Sequence, residues 1–359
     1  MNAATLLARP PPTRVLICDD SAVAREALAR LLESDPEIRV VARAGSGQAA
    51  LDAVSRQRVD VVLLDVEMPI MDGMEALPLL LNASPGVRVI MASTLTHKGA
   101  DVALRALRNG AADYVPKPSI RDMDGGGFQR ELLGKVKGHA STRRAADPGP
   151  GRLPSTLSLR PAGRLPRLLA IASSTGGPRA LFDFAQGLSA RGALPVPVVV
   201  VQHMPATFMP ILAEHLGRAG NLPCAEAQDG EMLQPGRVYL AAGDRHLLVQ
   251  HAAKGLQARL WDGPPESFCR PAADPMLRSA AEACDGRVLA VVLTGMGQDG
   301  LAGTRAVIEA GGTALAQDEA SSVVWGMPGS VAKAGLCHAV LPIPRLAART
   351  LDLLQGATA

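Results

Sequence analysis

The stretch Leu168-Leu169-Ala170-Ile171-Ala172-Ser173-Ser174-Thr175-Gly176-Gly177-Pro178 constrains this chain more than any other. An apolar run of strand length meets two serines, a threonine and a Gly-Gly-Pro breaker. A run with no polar alternation is expected to be a parallel strand covered on both faces. Ala180-Leu181-Phe182-Asp183-Phe184-Ala185 follows with helical spacing, so the hydroxyls fall on a strand-to-helix turn. Amides at a helix start point outward and favour negative charge. A serine on such a turn is a candidate nucleophile. On this stretch alone an N-cap hydroxyl is the better reading, and spacing does not choose between Ser173 and Ser174.

Apolar runs that end abruptly in polar residues recur along the chain. Near the N-terminus Val15-Leu16-Ile17-Cys18 ends in Asp19-Asp20, and Ser21 is placed to cap a helix reaching about Glu33. A strand near Arg39–Ala42 and a helix near Gln48–Arg56 follow. Val61-Val62-Leu63-Leu64 ends in Asp65, Val87–Ala92 ends in Ser93, and a short strand near Asp113–Val115 ends in Pro116-Lys117-Pro118. Strands alternating with helices predict right-handed crossovers and a doubly wound parallel sheet, with its site at the carboxyl ends of the strands. Asp19, Asp20 and Asp65 then converge on one crevice. Packed carboxylates repel, which raises their proton affinity unless a cation neutralises them. Oxygen-only donors suit Mg²⁺. Lys117 adds a point positive charge and Ser93 a hydroxyl donor, both suited to a phosphoryl group. Any one of these residues alone would read as a solvated turn residue.

From about residue 122 the character changes. Gly125-Gly126-Gly127 and Asp147-Pro148-Gly149-Pro150-Gly151 are breakers, and Arg130–Arg167 is rich in Lys and Arg. A short helix around Gln129–Lys137 is expected to close the first domain, followed by a flexible basic tether. The expected divisions are a polar, Pro-rich tail over 1–12, a domain over 13–138, a tether over 139–164 and a second domain over 165–355.

In that second domain Val196–Val201 ends in Gln202-His203-Met204-Pro205, and a helix is expected around Phe208–Leu216. Arg237–Ala241 and His246–Val249 flank Gly243-Asp244 and read as a β-hairpin. Val288–Leu293 leads into Thr294-Gly295-Met296-Gly297-Gln298-Asp299-Gly300, ahead of a helix near Leu301–Ala310 and a strand near Thr313–Ala316. Ser174, His203 and Asp299 each lie just beyond an apolar strand, and parallel strands would gather them at one sheet edge. They are the parts of a nucleophile, base and orienting carboxylate. Glycines around Met296 let main chain approach an oxyanion closely. The plainer readings are a turn histidine and a helix-capping aspartate. Among the other histidines, His97, His139 and His215 read as surface residues and His246 sits beside a turn.

These motifs carry a resemblance covering almost the whole chain. Residues 13 to about 120, with Asp19-Asp20, Asp65, Ser93 and Lys117, resemble a response-regulator receiver domain of flavodoxin-like (βα)5 fold. The resemblance implies that Asp65 accepts a phosphoryl group and binds Mg²⁺ together with Asp19 and Asp20. It makes Ser93 the switch hydroxyl and Lys117 the phosphate partner. Residues 165–355 resemble the catalytic domain of chemotaxis protein-glutamate methylesterases, a doubly wound α/β domain with a mostly parallel sheet. The matching motifs are Ser174-Thr175-Gly176-Gly177, Gln202-His203-Met204-Pro205, Leu293–Gly300 and Ala316-Gln317-Asp318-Glu319-Ala320.

This second resemblance implies Ser174, rather than Ser173, as nucleophile, His203 as base and Asp299 as orienter, with site support from Thr175 and the Met296 amide. It implies a serine hydrolase that demethylates γ-glutamyl methyl esters on the cytoplasmic helices of chemoreceptors and deamidates glutamines there. A sensor histidine kinase would supply the phosphoryl group, and the esterase would need no cofactor. A receiver-controlled hydrolase of another ester, and a regulator whose output only binds a partner, are the alternatives. Two motifs depart from the family: Ala172-Ser173 replaces Gly-Ala, and Arg270-Pro271-Ala272-Ala273-Asp274 replaces Arg-Pro-Ser-Val-Asp.

Composition agrees. The 359 residues are 47% hydrophobic but 3% aromatic, which predicts two domains with aliphatic cores. A net charge of +3 without a concentrated basic face argues against nucleic acid. The five scattered cysteines form no CxxC pair, so neither a disulfide framework nor a zinc site is expected. No signal-like segment appears, and no apolar run approaches the roughly 20 residues of a membrane span. A cytoplasmic protein without membrane insertion is expected.

Overall fold

The computed structural model describes residues 11–93, 96–117, 127–146 and 159–356. Most of the expected N-terminal tail, Pro118, Gly125-Gly126 and residues 147–158 of the expected tether lie outside the described residues.

In the N-terminal unit, β1 (Thr13–Cys18), β2 (Ile38–Ala44), β3 (Val61–Asp65), β4 (Arg88–Ser93) and β5 (Asp113–Pro116) form a parallel sheet in the order β2-β1-β3-β4-β5. Helices α1 (Ala22–Glu33), α2 (Gly47–Arg56), α3 (Gly73–Ala83), α4 (His97–Arg108) and α5 (Gly127–Ala146) connect and cover it. Every residue of β3 is buried, which is why its sequence is apolar until Asp65. Ser21 caps α1 by accepting from the Ala24 amide, and Asp72 with Glu75 forms a capping box on α3.

Helix α5 runs past Lys137, where spacing ends it, so the expected 138/139 boundary falls inside a helix. Gly134 and Gly138 weaken a helix on its own. Here Leu132, Val136 and Ala140, spaced one turn apart, are buried on the first unit and hold it. The glycines lie where α5 meets the second unit. A Cβ on Gly138 would stand 2.6 Å from Val324 Cγ2 and 2.8 Å from the Val323 carbonyl oxygen.

The C-terminal unit contains β6 (Leu168–Ser173), α6 (Gly177–Leu188), β7 (Val198–Gln202), α7 (Met209–Gly220), β8 (Cys224–Glu226) and β9 (Val238–Leu240). Then come β10 (His246–Ala252), β11 (Gly255–Trp261), α8 (Ala273–Ala283), β12 (Val288–Val292) and α9 (Leu301–Glu309). It ends with β13 (Thr313–Gln317), α10 (Met327–Lys333), β14 (Ala339–Leu341) and α11 (Ile343–Leu354). Seven strands make one parallel sheet in the order β14-β13-β12-β6-β7-β9-β8. From the central β6 the chain moves one way to β7, and from β12 the other way to β13. That reversal opens a crevice at the carboxyl ends of β12, β6 and β7.

The expected hairpin across Gly243-Asp244 does not form. β9 is buried throughout and pairs in parallel with β7 and β8, whereas β10 pairs antiparallel with β11 as a separate ribbon. A continuous buried run belongs in the parallel sheet, and the half-buried alternation of β11 suits a one-sided ribbon.

The two units pack together. Tyr114 of β5 stacks on Phe208 with ring centroids 4.6 Å apart, and Arg179 Nη1 donates to the Leu107 carbonyl at 3.1 Å. His139 and His215, expected at the surface, are both buried. His139 Nε2 lies 3.2 Å from Asp113 Oδ2, and His215 Nε2 lies 3.1 Å from Asp101 Oδ1 across the interface. Their carboxylate partners are distant in sequence, so spacing alone hides them.

Candidate active site and acidic site

The carboxyl ends of β1 and β3 bring Asp19, Asp20 and Asp65 together, with one ligand atom from each within 4.8 Å of the others. Asp19 and Asp65 are buried and Asp20 is exposed. Lys117, just past β5, places Nζ 2.6 Å from Asp65 Oδ2 and 3.2 Å from Asp19 Oδ2. Burial holds the Asp65 carboxyl above its ordinary value, and the Asp19 charge adds to this against the pull of Lys117. For Lys117 burial acts downward, but the hydrogen bonds and charges of Asp65 and Asp19 outweigh it and raise the ammonium. One ammonium leaves three carboxylates undercompensated, and their oxygen-only donors fit a hard divalent cation. Ser93 Oγ, at the end of β4, donates to the Gly99 carbonyl at 2.7 Å.

Register sets the second site. Ser173 pairs with Gln202, and Ala172 with both Val292 and Val201, so Ser174 and His203 emerge side by side. Ser173 is buried and donates its hydroxyl to Gln202 Oε1 at 2.7 Å, while Ser174 lines a cavity of about 650 Å³. Gln202 Nε2 donates to the carbonyls of Ser174 and His203, both at 3.0 Å, tying the two turns together. Gly176, the N-cap of α6, has φ +73° and packs against Val323 and Thr294, a position for glycine alone.

His203 Nε2 lies 2.7 Å from Asp299 Oδ2. Asp299 is 2% exposed, and its carboxylate accepts from the amides of Ala273 (2.6 Å), Asp274 (3.0 Å) and Gly300 (2.9 Å). Burial would raise Asp299, but the His203 hydrogen bond and charge and these amides hold it below the usual carboxylate range. Burial likewise works to lower His203; the hydrogen bonds to Asp299 and Cys269 outweigh it and hold the imidazole up at about 9. The remaining nitrogen, Nδ1, lies 3.4 Å from Cys269 Sγ. The amides of Thr175 and Met296 make no hydrogen bond among the described residues, which leaves both available as donors. Thr294 and Gln317 brace the Met296 loop. Thr294 Oγ1 donates to the Thr175 carbonyl at 2.9 Å, and Gln317 Oε1 accepts from the Thr294 amide at 2.8 Å.

The family model described as CheB methylesterase matches residues 169–350, and that of the response regulator receiver domain matches residues 15–123. The protein-glutamate methylesterase/protein-glutamine glutaminase 1 of Paramagnetospirillum magneticum is 52% identical, over 93% of this chain and 94% of that protein. The chain belongs to the CheB methylesterase family. A protein-glutamate methylesterase/protein-glutamine glutaminase of Azospirillum brasilense is 51% identical, over 93% of this chain and 91% of its own. Among solved structures, the CheB methylesterase catalytic domain of Thermotoga maritima is 40% identical, with a TM-score of 0.51 over 52% of this chain and 98% of that one.

Within this CheB architecture several site residues carry no mark in the sequence. In the Arg270–Asp274 segment, Ala272 and Ala273 are buried, and the segment supplies amides to Asp299 instead of side chains. Asp274 accepts from the Gly303 amide at 2.6 Å, and burial lifts its carboxyl to about 6. The receiver unit also enters the site: Asp113, Tyr114, Arg130 and Lys135 line the same cavity as Ser174 and His203. Asp113 Oδ2 accepts from the Gly176 amide at 3.0 Å, beside the Ser174 turn. Gln202 and Gln317 were within reach of sequence reasoning, as polar residues closing apolar strands; Cys269 and Asp113 were not.

Proposed function

We propose that this chain hydrolyses γ-glutamyl methyl esters on chemoreceptor cytoplasmic helices, and deamidates glutamines there, under control of phosphorylation at Asp65. The observation that carries the reading is the convergence of Ser174, His203 and Asp299 at the ends of three adjacent strands, with His203 and Asp299 2.7 Å apart. Ser174 Oγ attacks the ester carbonyl while His203 Nδ1 takes its proton, and Asp299 keeps the other ring proton on Nε2. The amides of Thr175 and Met296 receive the developing oxyanion. The proton returns to the departing methoxide, methanol leaves, and water repeats the sequence on the acyl-enzyme to release glutamate.

In the receiver, Asp19, Asp20 and Asp65 are the residues that would hold Mg²⁺, which neutralises charge at the acceptor carboxylate during phosphoryl transfer. Lys117 pairs with the phosphorylated Asp65, and Ser93 Oγ turns from Gly99 to contact it. A histidine kinase is the phosphodonor. Acting with such a kinase on cytoplasmic receptor helices, the protein would work in the cytoplasm; no helix among the described residues is long and apolar enough to cross a membrane.

The test is methanol release from methylated receptor membranes, with and without a small-molecule phosphodonor. Release that depends on Ser174 and rises with the phosphodonor is the expected result. Undiminished release by Ser174→Ala would overturn the assignment of the nucleophile, and no release under any condition would point to a different ester.

A further inference from the structure

Cys269 is separated by 66 positions from His203, yet the fold brings its Sγ to 3.4 Å from Nδ1. In the neutral ring the proton stays on Nε2, because Asp299 can only accept there, and Nδ1 then presents its lone pair to the thiol. A thiol and an imidazole lone pair facing one another on a cavity wall are the donors of a borderline-soft divalent metal. The spacing fits. Zinc–sulfur and zinc–nitrogen bonds of about 2.3 Å and about 2.0 Å at a tetrahedral angle put the two ligand atoms about 3.5 Å apart. The outer partner is present as well, since a ligating histidine commonly donates its far N–H to a carboxylate, which fixes the tautomer and raises ligand basicity. A cavity of about 650 Å³ leaves room for waters to complete four-coordination. Among the described residues Cys269 is the one thiol lining this cavity; Cys18, Cys284 and Cys337 are buried elsewhere and Cys224 lies on β8.

We propose that Cys269 Sγ and His203 Nδ1 form an inhibitory Zn²⁺ site. The metal occupies the nitrogen that must take the proton of the Ser174 hydroxyl, and the displaced thiol proton goes to solvent. The site differs in kind from the Asp19-Asp20-Asp65 cluster, whose oxygen donors favour Mg²⁺. It depends on a sulfur in the loop before α8, so inhibition is a property of this loop and not of triad chemistry in general.

The experiment titrates the full-length protein with zinc chloride in excess Mg²⁺, which keeps the acidic cluster filled. Bound zinc is counted by equilibrium dialysis, and methanol release is followed in parallel. Wild type should lose activity along the same curve on which it binds zinc. Cys269→Ser, compared with its own zinc-free rate, should need at least about tenfold more zinc, because outer-shell partners alone are worth roughly 10–100-fold. Cys269→His restores a nitrogen donor and should recover the sensitivity. In the wild-type protein, zinc should also slow alkylation of Cys269 by iodoacetamide, read by peptide mass. Equal zinc sensitivity in wild type and Cys269→Ser, or undiminished alkylation at saturating zinc, overturns the site. Dialysis and alkylation need no ester, so their outcome stands apart from the identity of the substrate.

Discussion

Gly138→Ala is the most direct probe of how the receiver holds the esterase. The added methyl carbon would stand 2.6 Å from Val324 Cγ2 and 2.8 Å from the Val323 carbonyl oxygen. A side-chain tip could swing aside, but a backbone carbonyl cannot. The Val323-Val324 segment is itself anchored, since the Gly295 amide donates to the Val324 carbonyl at 3.0 Å and the Val324 amide to Thr294 Oγ1 at 3.0 Å. Relief therefore comes from α5 moving away. Replacing a mid-helix glycine favours the helix by about 1 kcal/mol, but Leu132, Val136 and Ala140 pack α5 on the first unit, so the helix would persist on undocking and that gain would cancel from the docking equilibrium. Overpacking does not cancel. At about 1–3 kcal/mol it shifts the balance toward the open form by roughly 5- to 150-fold.

Receiver residues wall the cavity that contains Ser174, so on the proposed reading a receptor helix would reach Ser174 only when the receiver moves. Without phosphodonor, Gly138→Ala should release methanol faster than wild type, by at most that factor. Stimulation by a phosphodonor should shrink in proportion, because substitution and phosphorylation draw on one equilibrium. A circular-dichroism melt checks that the variant is folded. A folded Gly138→Ala with wild-type or lower basal activity, and with stimulation intact, would refute the shielding argument.

Ser174→Ala should melt cooperatively while losing about three orders of magnitude or more of ester turnover. Ser173→Ala should keep most turnover and lose about 1 kcal/mol of stability with its buried hydrogen bond to Gln202, as a denaturant titration would read. Asp65→Asn should take up no label from a phosphodonor yet retain the unstimulated esterase rate; wild-type labelling should vanish with chelator, and a labelled Asp65→Asn would point to another acceptor. His203 must be neutral to accept a proton, so kcat should climb as pH rises toward its value of about 9, and a flat profile would count against His203 as base. Stability runs the other way. A raised histidine value contributes fully below the unfolded pKa of about 6.5, and the contribution is lost as pH rises through about 9. Asp299→Asn should flatten that slope in Tm against pH.

The strand-end chemistry is legible in the sequence for a physical reason. A parallel strand covered on both faces must be apolar along its length, so its first polar residue marks where it emerges. That rule finds Asp65 at the end of β3, Ser173-Ser174 at the end of β6 and Gln202-His203 at the end of β7. It fails wherever a partner comes from another part of the chain. β9 looks like half of a hairpin because nothing local says that its other neighbours are β7 and β8. His139 looks solvated because Asp113 lies 26 positions away, and Cys269 looks inert because His203 lies 66 away.

The relation between the two sites is the largest piece that spacing hides, and one strand accounts for it. β5 ends the order of the first sheet, and an open sheet edge must be covered. The second unit covers it at two points: Asp113 takes the Gly176 amide beside Ser174, and Tyr114 stacks on Phe208 beyond the turn that carries His203. Lys117 follows the same strand and holds Asp65 at 2.6 Å. Four residue steps of about 3.3 Å each lead from Asp113 to Lys117, about 13 Å of extended backbone. The proposed phosphoryl group on Asp65 would change what Lys117 must neutralise, just past a strand that touches Gly176, beside Ser174, and Phe208, beyond the His203 turn. The receiver docks by its β5 edge together with α4, which supplies the Leu107 carbonyl to Arg179 and Asp101 to His215, and with the Gly134 and Gly138 positions of α5; of these, β5 offers the shortest route from Lys117 to the Ser174 turn.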